Sequence, residues 1–406
     1  MKPMGAIPAD YIGRDGQLLI GGRTTEALIE AAGDTPLFVY DMGIVRDRIA
    51  RFRASFPKIA LHYAVKANPY PPLVREVAKL VDGIDVASSG EAALAISAGM
   101  AAEHISFAGP GKRDRELEAA IVAGITINLE SESEAVRALA IGERMGVRPR
   151  LAVRINPDFE LRGSGMKMGG GAKPFGVDAD RAAALVRRIV AAGADYRGLH
   201  IFAGSQALDA DAIIEAQASA ILLADRVSGE AGTPPPLVNL GGGFGIPYFP
   251  GDKLLDVEAI GAALTPRSGA YAIELGRWLV GEAGVYLTRI VDRKISHGET
   301  FLVTDGGLHH QLAASGNFGT VVRRNYPVAV ANRFGAEAQE EATVVGCLCT
   351  PLDQLAQKVA LPRAEAGDVI AIFMAGAYGA TASPQAFLGH PSPLEMLVDP
   401  GESLQP

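Results

Sequence analysis

Lys66 is the first residue in this chain whose type and setting could do chemistry. It ends the stretch Leu61-His62-Tyr63-Ala64-Val65-Lys66-Ala67-Asn68, which begins as an apolar strand and closes on a single amine. A lysine at the end of a buried strand is costly unless it is paired, opens into a cleft or is used covalently. Taken alone it reads as a strand-end lysine reaching water, so a reactive role depends on its company. Glu274-Leu275-Gly276-Arg277 adds a carboxylate, His200 an imidazole, and Gly241-Gly242-Gly243-Phe244-Gly245 a turn of successive glycines. Such a turn lets backbone N–H groups approach phosphate oxygens without side-chain obstruction. Singly, these are a carboxylate that pairs with Arg277, a core histidine and an ordinary Gly-rich turn. Together they point to pyridoxal phosphate. The amine bonds the cofactor aldehyde, and the carboxylate keeps the pyridine nitrogen protonated so that the ring accepts electrons. His200 can cover a ring face.

These residues need a scaffold that brings them to one place. The hydrophobic pattern predicts strands at 59–64, 83–87, 104–108, 125–129, 150–155, 197–202, 237–240 and 270–274. Helices are predicted between them near 70–80, 89–99, 113–123, 131–146, 178–193, 209–230 and 256–264. This alternation implies a parallel sheet, and eight units over roughly 240 residues match a closed (β/α)8 barrel; a doubly wound open sheet is the rival. In a barrel the active site lies at the carboxyl ends of the strands. Those ends carry Lys66, Asp85 with Ser88 and Ser89, Gly109-Pro110-Gly111-Lys112, Arg154 with Asn156, His200 followed by Gly204-Ser205-Gln206, the triple-glycine turn, and Glu274. After Gly276 the rhythm changes to strands at Val285–Val291, Thr300–Thr304, Pro327–Val330, Ala342–Cys347 and Asp368–Phe373, an antiparallel β domain. The expected division is an N-terminal segment 1–35 that joins the β domain, a barrel at 36–280, and a C-terminal β domain at 281–406.

Composition narrows the function. The 406 residues are 48% hydrophobic with a net charge of −8, the two signs being interspersed. No basic stripe for nucleic acid or polybasic membrane anchor is present, and no apolar run reaches the ~20 residues of a spanning helix. Met1–Gly13 lacks the pattern of a signal peptide. Cys347 and Cys349, separated by one residue, are poorly placed to bridge each other, and they make no zinc set without further ligands. A reducing cytoplasm and no metal are therefore expected.

The ordered set Tyr63-Ala64-Val65-Lys66-Ala67-Asn68, Asp85-Val86-Ala87-Ser88, His200 with Gly204-Ser205, Asn239-Leu240-Gly241-Gly242-Gly243-Phe244-Gly245, Glu274-Leu275-Gly276-Arg277, Asp305-Gly306-Gly307, Cys349 with Asp353, and Gly376-Ala377-Tyr378-Gly379 resembles the pyridoxal-phosphate-dependent decarboxylases with an alanine-racemase-like barrel. That family contains the diaminopimelate, ornithine and arginine decarboxylases. The resemblance implies that Lys66 bonds the cofactor, that His200 stacks on its ring and that Glu274 pairs with its ring nitrogen. Ser205, Gly241, Gly242, Gly243, Gly276, Arg277 and Tyr378 surround the phosphate or the nearby substrate carboxylate, and Asp85 lies close to the lysine. It also implies that Cys349 protonates the carbanion left by carbon dioxide, and that Cys349 and Asp353 come from the partner subunit of a homodimer. Arg323, Arg324 and Tyr326 are candidates for gripping a substrate carboxylate.

The chain departs from the family at two points. Leu275 replaces the usual proline, and Thr350 stands where diaminopimelate decarboxylases carry a glutamate for the substrate's distal ammonium. Several strings resemble instead a branch that acts on a glutamyl group tethered to an acyl carrier protein. Among them are Lys167-Met168-Gly169-Gly170, Gly245-Ile246-Pro247-Tyr248-Phe249, His309-His310, Arg324-Asn325-Tyr326-Pro327, Cys349-Thr350-Pro351 and Phe387-Leu388-Gly389-His390-Pro391. The glycine-rich loop Leu161–Pro174 is a candidate lid. The expected activity is removal of the α-carboxylate of an amino acid, free or carrier-bound. Diaminopimelate decarboxylation is the alternative, and a racemase or a non-catalytic homologue are remote ones.

Overall fold

Eight short segments form the parallel strands that the alternating pattern predicts: β1 (Ala60–Ala64), β2 (Gly83–Val86), β3 (Ile105–Phe107), β4 (Thr126–Leu129), β5 (Arg150–Asn156), β6 (Asp195–Ile201), β7 (Leu237–Asn239) and β8 (Ala270–Leu275). In this computed structural model, which describes residues 2–267, 269–316 and 324–401, β8 pairs with β1 and β4 with β5, so the sheet closes into a barrel. The open doubly wound sheet is thereby excluded. Most strand residues are buried, as expected where helices cover one face of a parallel sheet and the barrel core fills the other.

The intervening helices start and stop on local chemistry. The side chains of Ser88, Ser131, Asp209 and Asp256 accept backbone N–H groups of the first turns that follow them, each such cap being worth about 1 kcal/mol. Gly124, Gly146 and Gly232 end three helices in the left-handed conformation.

A buried polar network ties the loops at the strand ends. Lys112 Nζ donates to the Gly109 and Asn128 carbonyls at 2.8 and 2.9 Å and to Glu134 Oε1 at 3.0 Å. Glu130 Oε1 accepts from Arg154 Nη1 at 2.8 Å and from the Gly109 N–H at 2.6 Å, while its Oε2 accepts from the Gly176 N–H at 2.8 Å. Burial pulls the Lys112 amine below its ordinary pKa, and the charges of Glu134 and Glu130 oppose that pull.

By internal packing the chain divides into one unit of Met1–Arg48, Pro247–Lys253 and Arg277–Pro406 and another of Ile49–Ile246 and Leu254–Gly276, the barrel. The boundary expected at residue 36 lies further along. Strand Leu37–Asp41 pairs with Gly284–Ser296 and Leu394–Val398 in the β unit. An apolar strand just before a barrel has no sequence mark that says which sheet it joins. Among the described residues, most strand pairings in the β unit are antiparallel; Glu299–Thr304 on Glu340–Val345 and Leu37–Asp41 on Leu394–Val398 run parallel. Strands Gln354–Leu361 and Leu394–Val398 are additional to the pattern reading.

The network makes a stability prediction. Glu134→Ala leaves the Lys112 ammonium buried without its carboxylate, and the expected loss is about 3–5 kcal/mol. It is measured as a lowered urea midpoint; an unchanged midpoint would mean that the pair contributes nothing.

Candidate active site

β1 runs into a single 3-10 turn, Val65–Ala67, which buries Val65 and Ala67 and leaves Lys66 exposed at the strand's carboxyl end. Its Nζ lies 5.4 Å from the centre of the Phe202 ring. The neighbouring end of β8 comes very close to this turn. A Cβ at Gly276 would stand 2.7 Å from Ala67 Cβ and 3.0 Å from the Ala64 carbonyl oxygen. Glycine at 276 is thus what allows the close approach.

Glu274 and His200 lie deeper, 7% and 2% exposed. His200 Nε2 is 3.2 Å from Glu274 Oε2, although the two are not aligned as a hydrogen bond. Burial raises the Glu274 pKa, but the attraction of His200, Lys66 and Arg154 outweighs it and holds the carboxyl well below the usual range. Glu274 is therefore ionised at neutral pH.

Asn239 joins this carboxylate to the glycine turn. Its Nδ2 donates to Glu274 Oε2 at 3.2 Å and its Oδ1 accepts the Gly241 N–H at 2.8 Å, while the Glu274 N–H donates to the Gly241 carbonyl at 2.9 Å. Gly242 lies so close to β8 that a Cβ there would be 1.9 Å from the Glu274 carbonyl oxygen, and Gly243 has φ +93°. No other residue type fits this path without displacing backbone.

Asp85, on β2, faces His62 on β1, with 3.3 Å between Oδ2 and Nδ1. Burial lowers the His62 pKa, but the Asp85 charge more than compensates and raises it above its ordinary value. Ser205 lies in the short strand Gly204–Ser205, which pairs antiparallel with Met166–Lys167 of the glycine-rich loop. The Gly165 N–H reaches the Gln206 carbonyl, and the Met168 and Gly169 N–H groups reach that of Ala203. The segment expected as a lid is stitched along 203–206 in this structure.

The remaining predicted residues belong to the β unit. Arg277 Nη1 donates to the Tyr248 hydroxyl at 2.8 Å, and its guanidinium carbon lies 4.6 Å from the centre of the Tyr378 ring. Tyr378 has φ +54°, a conformation non-glycine residues adopt at a cost. Tyr326 is buried and packs on Tyr248 at 4.8 Å, and Arg324 lies 3.9 Å over Phe249. Arg323 falls outside the described residues. Cys349 is exposed. Asp353 is 2% exposed, and its two oxygens accept the Leu308 and Leu348 N–H groups at 2.6 and 2.8 Å. A carboxylate held in this way ties its own loop to that of Leu308, and the substrate contact expected of it does not follow from its position.

The barrel mouth can be tested against the cofactor. Asp85 Oδ1 and His200 Nδ1 are buried without a hydrogen-bond partner among the described residues, while Asp85 Oδ2 and His200 Nε2 face His62 and Glu274 at 3.3 and 3.2 Å. Buried polar groups left unpaired in this way call for a polar ligand. An exposed amine, an ionised carboxylate, an imidazole and a turn free of side chains fit pyridoxal phosphate. A closed barrel with this set at its mouth defines a pyridoxal-phosphate enzyme.

Comparison with known proteins agrees. The model of the pyridoxal-binding domain of pyridoxal-dependent decarboxylases matches residues 42–289. The L-glutamyl-[BtrI acyl-carrier protein] decarboxylase of Niallia circulans is 36% identical over 381 residues, covering 90% of this chain and 89% of the relative. The diaminopimelate decarboxylase of Aquifex aeolicus is 31% identical over 404 residues, covering 96% and 92%. Among solved structures, the diaminopimelate decarboxylase of M. jannaschii in complex with L-lysine superposes with a TM-score of 0.85 at 26% identity, covering 96% of this chain and 92% of that one. The chain belongs to the pyridoxal-dependent decarboxylases. It is a carboxy-lyase acting on an amino-acid group with pyridoxal 5'-phosphate as cofactor.

Asn239, His62 and Tyr248 were not singled out from the sequence. Asn239 carried a usable signal, since an asparagine at a strand end two residues before a glycine turn often bonds that turn's backbone. For His62 and Tyr248 the contacts are tertiary, and spacing does not reveal them.

The glycine at 276 can be tested directly. Gly276→Ala should displace the Lys66 turn and lower kcat on the order of 10²-fold, the scale of a misplacement near 1 Å. Steady-state kinetics with cofactor absorbance as the occupancy control measure it. Wild-type turnover would show that the turn tolerates the methyl group.

Proposed function

We propose that this enzyme decarboxylates an aminoacyl group carried on a protein thioester, a glutamyl group being the first candidate, and releases the corresponding carrier-bound amine and carbon dioxide. The observation that carries this reading is Thr350, directly after Cys349. Its Oγ1 accepts the Leu352 N–H at 3.4 Å, serving its own turn. A distal ammonium would meet no carboxylate at this position, a loss of roughly 1.5–3 kcal/mol relative to a charge-assisted bond. The similarity to the carrier-protein decarboxylase of Niallia circulans supports the same reading.

When bound, pyridoxal phosphate supplies a carbonyl for amines to condense with and a ring that accepts the electron pair of the breaking bond. Lys66 Nζ holds the cofactor between turnovers. The ionised Glu274 keeps a proton at the ring nitrogen, and Asn239 keeps that carboxylate in register with the glycine turn. The N–H groups of Gly241, Gly242 and Gly243, with Ser205 and Gly276, bind the phosphate, and Arg277 and Tyr378 serve the phosphate or the substrate carboxylate. His200 would cover the ring, and Asp85, paired with His62, would lie close to the lysine. Cys349 Sγ then gives its proton to Cα after carbon dioxide has left.

Two chains share each site in this proposal, Cys349 of one serving Lys66 of its partner. The exposure of Cys349 supports this. The enzyme works in the cytoplasm, where free thiols persist. Diaminopimelate decarboxylation is the second reading, favoured by the diaminopimelate decarboxylases at 31–32% identity.

Carbon dioxide release decides between the readings. The glutamyl group on an acyl carrier protein should be consumed with kcat/KM at least about tenfold above that of free diaminopimelate, lysine, ornithine or glutamate. Release from free diaminopimelate alone would establish the second reading. Cys349→Ala should lower kcat by about 10²–10⁴-fold with the cofactor retained. Mixing it with Lys66→Ala should restore activity that neither variant has alone. Failure of that mixture would place both residues of each site on one chain.

A further inference from the structure

Within the β unit, three loops bring together side chains that the decarboxylation chemistry does not use. His309 follows strand Glu299–Thr304, Cys347 follows Glu340–Val345, and His390 precedes Leu394–Val398. One donor atom from each lies within 4.8 Å of the other two. Cys347 Sγ is 3.8 Å from His390 Nδ1, and the His309 and His390 rings are 5.3 Å apart. His309 is 0% exposed, and neither of its ring nitrogens has a hydrogen-bond partner among the described residues. A buried imidazole left unpaired on both sides is costly unless something binds it.

We propose that His309, Cys347 and His390 form a binding site for a divalent ion of the zinc type. One thiolate and two imidazoles are the donor set that zinc takes, with a fourth position left to water. Donors around a tetrahedral ion stand roughly 3.5 Å apart, so small side-chain rotations close the set.

Neighbouring residues already hold the three loops in place. Asp353 accepts from the Leu308 N–H beside His309 and from the Leu348 N–H beside Cys347. His310 Nε2 lies 2.9 Å from the Pro391 carbonyl oxygen beside His390, and its Nδ1 lies 3.0 Å from the Tyr286 hydroxyl. Such outer contacts orient metal ligands. Cys347 and His390 are only half-buried, which provides an entry path.

Protonation is compatible with this set. Burial, helped by His310 and His390, lowers the His309 pKa to about 4, so its lone pair is free at neutral pH. Burial and the Asp353 charge raise that of Cys347 to about 11, so binding must displace a thiol proton onto solvent. Neither cysteine spacing nor histidine spacing discloses the site, because its ligands come from loops some 40 residues apart in sequence. It supplies the further ligands without which the two cysteines make no zinc set, against the expectation of no metal. An ion there would tether Cys347, two residues from Cys349, and so fix the loop that carries the proposed acid.

The test is titration of cobalt(II) chloride into chelator-treated holoenzyme. One equivalent per chain is expected, with the visible absorption of tetrahedral cobalt and a thiolate ligand, and zinc chloride should displace it. Cys347→Ser should abolish the thiolate signature, His390→Gln should weaken binding at least about tenfold, and Cys349→Ser should keep both. No uptake, an octahedral spectrum, or a thiolate signature that survives Cys347→Ser overturns the proposal. Should the variants fold poorly, X-ray absorption of the zinc-loaded wild type decides it. One sulfur and two imidazole nitrogens support the site, and a shell without sulfur removes it.

Discussion

The ionised carboxylate of Glu274 inside the barrel is the constraint on which the site depends. A charge that deep is expensive in a low-dielectric interior, and it persists because His200, Lys66 and Arg154 lie near enough to outweigh the cost. The same carboxylate accepts from Asn239, which also holds Gly241. Charge, glycine turn and strand are thus parts of one hydrogen-bonded unit. The charged group is fixed by the same bonds that shape the glycine turn.

The glycines express the same constraint sterically. At Gly242 and Gly276 a methyl group would overlap β8 or the lysine turn. These close approaches bring backbone donors and the Lys66 amine to one mouth. Interiors packed at crystal-like density do not absorb an extra carbon cheaply.

Much of this was legible in the sequence because periodicity and strand-end position are local signals. The alternation of strands and helices implied a parallel sheet whose eight units matched a barrel, and barrel geometry alone directed Lys66, His200, the triple glycine and Glu274 to one end. What was not legible is tertiary. Strand Leu37–Asp41 has the same apolar character whether it opens a barrel or joins the β unit. The carboxylate of Asp353 looks available in the sequence, but backbone N–H groups occupy it. The pairing of Met166–Lys167 with Gly204–Ser205 joins segments that no composition rule connects.

The division of the chain into two units has an evolutionary corollary. Lys66, His200 and Glu274 belong to one unit, whereas the Cys349–Thr350 loop belongs to the other. The residues proposed to set cofactor reactivity are therefore encoded apart from the position proposed to discriminate among substrates. Selection can rewrite the second while the first stays unaltered, so descendants of one scaffold can diverge in what they accept without reinventing how they react.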